Sequence, residues 1–322
     1  MLAIRINRTG GPEVLEPVTV DTPTAGPGQV LVRHEAIGIN YIDTYLRSGL
    51  YPLPLPAVLG QEAAGVVEAV GEGVTRFKAG DRVAYSAGGG GYAQYAAVAA
   101  DRTAHLPEGI GFDTAAASLL KGMTAEFLLR RCYPLKAGDT ALIQAAAGGV
   151  GLILSQWAKL LGATVIGTVG SAEKAELARA NGCDHVILYR DEDVAARVKE
   201  ITGGKGVQVA YDSVGKDTCE GSLASLARRG WYVTFGNASG PAPPVAPLRL
   251  MQGGSLVMTR PSLADYVRTA QELDESSGQL FDLIAAGKLK IEIGQRFPLS
   301  QARAAHEALE SRATIGSTVL IP

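Results

Sequence analysis

The sequence predicts an α/β protein in which a doubly wound parallel sheet is joined to a second, β-rich domain. Three observations predict it. Beyond Leu119, apolar β-branched runs alternate with helical stretches, the pattern of a parallel sheet covered on both faces. A glycine-rich turn, Ala146-Ala147-Gly148-Gly149-Val150-Gly151, falls between one such run and the helix that follows it. The first third instead carries short strand-like runs set apart by turn residues, as in a barrel or sandwich.

The first strands are expected over residues 4–7, 30–39, 63–70 and 82–85. Gly10-Gly11-Pro12, Ala25-Gly26-Pro27-Gly28 and Lys78-Ala79-Gly80-Asp81 supply the turns between them, because Gly and Pro interrupt regular backbone. Strands at 141–146, 164–169, 186–188, 207–212 and 232–235 come next. Helices at 151–161, 172–181 and 193–201 separate the first four of these, which makes successive β-α-β units. After Pro261 the spacing predicts one amphipathic helix over 264–286, then strands at 291–297 and 317–321 flanking a helix at 301–309. This tail makes no further β-α-β unit, so it is expected to return to the N-terminal domain and complete it.

Composition narrows the function classes. A chain of 322 residues with 47% hydrophobic residues can build two cored domains. Its net charge of -2 gives no general attraction to nucleic acid or an anionic membrane. Cys132, Cys183 and Cys219 are far apart and odd in number, so idle thiols in a reducing cytoplasm are expected rather than disulfides. No signal peptide or apolar span long enough for a bilayer is read in the sequence.

The glycine-rich turn carries the functional signal. Missing side chains let a backbone approach a pyrophosphate, and the open N–H groups of a helix start bind its charge. Ala146 replaces the first glycine of the usual pattern, so the fingerprint is a variant. A site for NAD normally ends the next strand with a carboxylate for the ribose 2′-hydroxyl. Here that strand runs into Gly170-Ser171-Ala172-Glu173-Lys174. Ser171 and Lys174 offer a hydroxyl and an ammonium suited to a 2′-phosphate, which points to NADPH. Glu173 falls on the following helical turn.

These residues also resemble a known family. The stretch from Gly138-Asp139-Thr140 through Gly148-Gly149-Val150-Gly151 to Gln156 and Lys159 is similar to the quinone oxidoreductase/zeta-crystallin branch of the medium-chain dehydrogenase/reductase superfamily. So are Gly38-Ile39-Asn40-Tyr41-Ile42-Asp43-Thr44-Tyr45, Tyr211-Asp212-Ser213-Val214-Gly215, Thr259-Arg260-Pro261-Ser262-Leu263 and Glu310-Ser311-Arg312-Ala313-Thr314. The resemblance implies a GroES-like, partly open β-barrel domain from 1–122 and 263–322, a Rossmann domain at 123–262, a cleft between them and a homodimer. It implies that Tyr189 and Arg312 join Gly170, Ser171 and Lys174 near the 2′-phosphate, with Gly149 and Val150 on the pyrophosphate. Asn40, Asp43, Tyr45, Phe127, Ser213, Phe235, Gly236, Asn237, Pro261 and Leu263 are then expected along the rest of the cofactor. Asn40, Tyr45, Tyr51 and Gln61 are expected in the substrate pocket.

Alcohol-handling relatives hold a catalytic zinc on a Cys, a Gly-His-Glu histidine and a later Cys or acid. Here the matching stretches read Asn40-Tyr41-Ile42-Asp43 and Gly60-Gln61-Glu62, and no cysteine precedes Cys132. His34, His105, His185 and His306 are scattered, so no metal site is expected. Without a Lewis acid for an alkoxide, a readily reduced acceptor is expected: a quinone, whose reduced anion water can protonate. No obligatory general acid is assigned. An alkenal or enoyl reductase is the alternative, with Tyr45 as proton donor. An RNA-binding or structural crystallin role finds no support in the charge or in any RNA-binding motif.

Overall fold

Six strands of the second half are each laid parallel to their neighbours, and the order in which they lie fixes where a ligand can bind. The computed structural model describes residues 1–86 and 88–322. They form two compact units, Met1–Met123 with Val267–Pro322 and Thr124–Tyr266. In the second unit the strand order is His185–Leu188, Thr164–Val169, Thr140–Ile143, Val207–Asp212, Leu226–Thr234, Val257–Thr259. Every pairing is parallel. Counted along the chain this is 3-2-1-4-5-6, the doubly wound order.

The strands form where the sequence is apolar and β-branched on both faces. Residues Val165 to Val169 are all buried. Leu142, Ile166, Ile187, Val207 and Ala210 pack with Val198 and Leu223 from the connecting helices into one core. Gly167 leaves room for its neighbours: a Cβ there would lie 2.6 Å from Cys183 Sγ and 2.7 Å from Ala146 Cβ. The three cysteines are buried and unpaired.

In the first unit, Gln29–Ile39 is the central strand. It pairs with Glu62–Val70 and Tyr95–Ala99, and with Ser317–Ile321 from the chain's end. Ile293–Pro298 lies beyond Ser317–Ile321, and Arg82–Ser86 and Thr103–His105 lie beyond Glu62–Val70. Register shifts at Leu31/Val32 and His34/Ala36 let the long strand bend while serving neighbours on both sides. Val30, Val32, Ile37, Val67, Val83 and Leu320 meet in its core. Leu2–Ile6, Glu16–Thr19 and Ala57–Val58 make a smaller sheet.

Several boundaries differ from those the sequence suggests. The strand expected at 141–146 stops at Ile143, because Ala145 takes a left-handed φ of 54° and turns the chain. The strand expected from 232 starts at Leu226. The helix expected over 264–286 is two helices, Leu263–Tyr266 and Ala270–Ala285. Thr269 starts the second with a capping box: its Oγ1 accepts from Glu272 N–H, and Glu272 accepts from Thr269 N–H at 2.9 Å. The helices Tyr41–Ser48 and Phe112–Phe127 carry no element expected from the sequence. Among the described residues no helix is long and apolar enough to cross a membrane.

Candidate active site

Because all six strands of the second unit are parallel, the segments that follow them emerge at one edge of the sheet. That edge gathers Gln144 to Gly148, Gly170 to Lys174, Tyr189 and Arg190, Ser213, Phe235 to Asn237, and Arg260 with Pro261. The strand order reverses between Thr140–Ile143 and Val207–Asp212, the position where open α/β sheets bind ligands.

The turn after Ile143 is built to approach an anion. Ala145 and Ala146 donate backbone N–H bonds to Thr168 Oγ1 at 3.3 Å and Thr168 O at 3.0 Å, which ties the turn to the next strand. Gln144 is buried between Thr168 and Ser222 and so serves the scaffold. Helix Gly149–Leu160 begins after Gly148 with no side-chain cap, so its first N–H groups are left for an anion. At Gly151 a Cβ would stand 2.3 Å from Ala145 O and 2.8 Å from Ala146 Cα. Only glycine lets this helix pack so close to the turn.

At the next strand end, Ser171 caps helix Ala172–Ala180, its Oγ accepting from Lys174 N–H at 3.3 Å. Glu173 is exposed in the first turn. Tyr189 closes over Gly170, where a Cβ would meet the Tyr189 hydroxyl at 2.6 Å and Arg190 Nε at 3.4 Å. Arg190 is therefore a second cation beside Ser171 that the sequence reading did not single out. Its signal was its place one residue after Tyr189 at a parallel strand end.

Asp212 organises the third segment. Its Oδ1 accepts from Val214 N–H at 2.8 Å and Gly215 N–H at 3.0 Å, and its Oδ2 from Ser222 and Tyr232 hydroxyls. Gly236 fits against Ser213 with no room for a side chain, a Cβ there lying 2.1 Å from Ser213 O. Ser213, Phe235, Gly236 and Asn237 are thus brought together. Phe127 is buried and stacked on Tyr266 at 4.4 Å. Leu263 opens the short helix Leu263–Tyr266.

In the first unit, Asn40 ends the central strand and starts helix Tyr41–Ser48. Asp43 reaches back to accept from Asn40 N–H at 2.8 Å. The Asn40 amide donates to Glu62 Oε2 at 2.8 Å, and Lys121 Nζ reaches the same oxygen at 3.1 Å. Tyr45 and Tyr51 meet edge to face at 5.4 Å. Gln61 is half-buried beside Glu62, and Arg312 lies exposed at a left-handed turn after helix Ala302–Glu310. Glu62 and Lys121 were not picked out from the sequence, where they lie 59 residues apart.

Behind Asp43 runs a buried line of hydrogen bonds. Tyr92 donates to Asp43 Oδ2 at 3.0 Å, His306 Nε2 meets the Tyr92 hydroxyl at 2.9 Å, and Arg47 meets His306 Nδ1 at 3.0 Å. Arg47 then pairs with Glu310 through both terminal nitrogens. Burial pushes Asp43 up to about 7. Burial, then the Arg47 charge, pushes His306 down to about 3. Burial likewise lowers His34, held between Tyr85 and Ala93 O, to about 4.

These shifts have opposite signs for stability. Asp43 is neutral more readily when folded, so its contribution is complete below 3.8 and is lost as pH rises toward 7. The two histidines contribute above 6.5 and lose that contribution as pH falls. Asp43→Asn retains an acceptor oxygen for Asn40 and Tyr92. Its unfolding free energy should gain on the unsubstituted chain by about 1.4 kcal/mol per unit between about pH 5 and pH 7. Urea denaturation across that range checks this; a difference independent of pH would refute it.

The donor set does not suit zinc. Glu62 is already taken by an ammonium and two N–H donors, its neighbours are the amides Asn40 and Gln61, and among the described residues no thiolate or imidazole is grouped with it as a ligand. Among the described residues no three His, Cys, Asp or Glu side chains are grouped for a metal ion.

Comparison with known proteins agrees with this architecture. Residues 26–108 match the alcohol dehydrogenase GroES-like domain, and residues 149–284 match the zinc-binding dehydrogenase family. The chain is 55% identical to a quinone oxidoreductase of Salmonella typhimurium across 99% of both chains. It is 48% identical to a 2-haloacrylate reductase of Burkholderia sp, covering 100% of this chain and 99% of that one. The crystal structure of Escherichia coli quinone oxidoreductase complexed with NADPH superposes with a TM-score of 0.98 at 53% identity, with all of both chains covered. Its fold, its glycine turn and its full-length likeness to these proteins place the chain in the quinone oxidoreductase branch of the medium-chain dehydrogenase/reductase superfamily.

Proposed function

We infer that the protein is a zinc-free NADPH:quinone oxidoreductase. One observation carries this reading. The strand end that would hold a ribose 2′-hydroxyl bears no carboxylate; it presents the Ser171 cap, Lys174, Tyr189 and Arg190, groups that suit a phosphate. The likeness to the E. coli enzyme complexed with NADPH supports it.

Residues 123–262 serve as the nucleotide domain, and 1–122 with 263–322 as the catalytic domain. Bound NADPH supplies hydride. The N–H groups of Gly149 and Val150 hold the pyrophosphate. Ser213, Phe235, Gly236, Asn237, Pro261, Leu263 and Phe127 line the remainder, and Arg312 adds charge toward the 2′-phosphate. Asn40 and Tyr45 would lie toward the nicotinamide, and Asp43, fully buried, would hold the Asn40 backbone from behind. Asn40, Tyr45, Tyr51 and Gln61 orient the acceptor carbonyl by hydrogen bonds and ring contact. A reduced quinone is phenolate-like, with a pKa of about 10, so water suffices to protonate it.

The chain acts in the cytoplasm as a homodimer. The open edge of strand Val257–Thr259 supports the pairing, with exposed Leu248, Met251 and Val257 beside it; sedimentation equilibrium reads it directly.

A second reading, reduction of a conjugated alkene, is favoured by the full-length likeness to the 2-haloacrylate reductase. There Tyr45 supplies the proton to the α-carbon. NADPH oxidation with 1,4-benzoquinone, 9,10-phenanthrenequinone and 2-alkenals, with and without a chelator, separates the readings. Quinone turnover unaffected by chelator is expected. Turnover confined to alkenals rejects the quinone assignment.

A further inference from the structure

We propose that Thr168 is a positioning residue for nucleotide binding: its hydroxyl, aimed by Gln144 and Ser222, holds Ala145 in the left-handed conformation that sets the start of helix Gly149–Leu160 in place for a pyrophosphate. The proposal rests on the reading of the glycine-rich turn as the pyrophosphate site.

Ala145 is the strained point of the turn. Its φ of 54° lies in a region disfavoured by roughly tenfold for a residue with a Cβ. The Ala145 carbonyl accepts from Gly148 N–H at 3.0 Å and lies under the first turn of the helix, where it bars any side chain at Gly151. If Ala145 relaxed to a negative φ, that carbonyl would swing aside. The uncapped N–H groups of Gly149 and Val150 would lose their seat with it. Thr168 opposes this relaxation. Its Oγ1 accepts from Ala145 N–H at 3.3 Å, and its carbonyl accepts from Ala146 N–H at 3.0 Å. Ala145 is only half-buried, so water can take its N–H once the Thr168 hydroxyl is gone.

A hydroxyl has one hydrogen, and it accepts in a fixed direction only when that hydrogen is committed elsewhere. The Thr168 hydroxyl donates to Gln144 Oε1 at 2.6 Å, Gln144 Nε2 donates to Ser222 Oγ at 3.0 Å, and the Ser222 hydroxyl donates to Asp212 Oδ2 at 3.0 Å. Asp212 is fixed in turn by the N–H groups of Val214 and Gly215. The row crosses the ends of strands Thr164–Val169, Thr140–Ile143 and Val207–Asp212, which lie side by side. All four side chains are buried, and a satisfied buried row of this kind is rigid. A reversed Gln144 amide would set its NH2 group against Thr168. The Thr168 hydrogen would then face Ala145 N–H, donor against donor. The order of donors along the row therefore decides that Thr168 offers a lone pair to the turn.

The test is the dissociation constant of NADPH and of NADH, by fluorescence titration, for the unsubstituted chain, Thr168→Val, Thr168→Ser and Thr168→Val/Ala145→Gly. Valine keeps the shape of threonine and removes the hydroxyl; serine keeps the hydroxyl. Thr168→Val should weaken both nucleotides by about tenfold, the factor by which the competent turn becomes rarer. Thr168→Ser should recover most of that loss. Glycine takes a positive φ readily, so the double variant should also bind both nucleotides better than Thr168→Val. A Thr168→Val chain that melts lower but binds both nucleotides like the unsubstituted chain has a structural defect alone and overturns the proposal. A double variant that binds no better than Thr168→Val, or a loss confined to NADPH, overturns it too. Undiminished binding in Thr168→Val beside weakened binding in Gly151→Val overturns this proposal alone; undiminished binding in both overturns the reading of the turn as well. If Thr168→Val does not fold, Gln144→Met removes the acceptor that aims the Thr168 hydroxyl. A loss of about threefold for both nucleotides is then expected, and unchanged affinity overturns the proposal.

Discussion

Gly151→Val should yield a chain that binds neither NADPH nor NADH usefully. The first atom of any side chain at 151 falls 2.3 Å from Ala145 O and within 2.9 Å of Ala146 C. Both are backbone atoms of the turn itself, so no side-chain rotation relieves the clash. The helix start must move off the turn, and the N–H groups meant for the pyrophosphate move with it. Overpacking of this kind costs about 1–3 kcal/mol of stability. Displaced N–H donors should cost nucleotide affinity about 100-fold, or roughly 2.7 kcal/mol. Thermal melting and fluorescence titration with both nucleotides measure the two effects. Affinities within a few-fold of the unsubstituted chain would show that the turn is not the pyrophosphate site.

Lys174→Ala should separate the two nucleotides. Lys174 stands in the first turn of helix Ala172–Ala180 with its backbone N–H on the Ser171 cap, and Tyr189 and Arg190 lie against Gly170 just before that cap. A charge-assisted hydrogen bond contributes about 1.5–3 kcal/mol, so KM for NADPH should rise by roughly 10-fold to 100-fold. KM for NADH, which has no 2′-phosphate, should change less than about twofold. Arg190, which has no carboxylate partner among the described residues, keeps part of the attraction, and that limits the loss. Equal losses for both nucleotides would remove the 2′-phosphate argument.

The parallel sheet was legible because its strands must be apolar on both faces. Thr164–Val169 and Val207–Asp212 lie where the apolar, β-branched runs place them. Ala57–Val58 and Thr103–His105 were not legible, since two or three residues show no periodicity. The break at Thr269 had a signal, Thr269 followed by Glu272, but the apolar repeat on either side of it reads as one continuous helix. Helix Tyr41–Ser48 was signalled in the same way by Asn40 and Asp43, residues that drew attention for their chemistry instead. The turn at Ala145 had no signal, since alanine seldom takes a positive φ.

The same division holds for the site. The nucleotide groups follow strand ends and can be read locally. The Glu62 cluster joins residues from Asn40 to Lys121, and the line behind Asp43 reaches His306, 214 residues from Tyr92. Pairing of Glu62–Val70 with the central strand creates the first set of neighbours, and the return of the chain's end to the first sheet creates the second.

That line ends on Arg47, and a guanidinium does not give up a proton in a protein. Arg47 must therefore donate to His306 Nδ1, which leaves the imidazole hydrogen on Nε2, pointing at Tyr92, and the Tyr92 hydroxyl pointing at Asp43. Every donor is aimed inward, and the outermost one is inert. The row is an electrical insulator: it braces Asp43 with aligned dipoles and passes no proton from the surface. Whatever proton the reduced product acquires does not travel along this row.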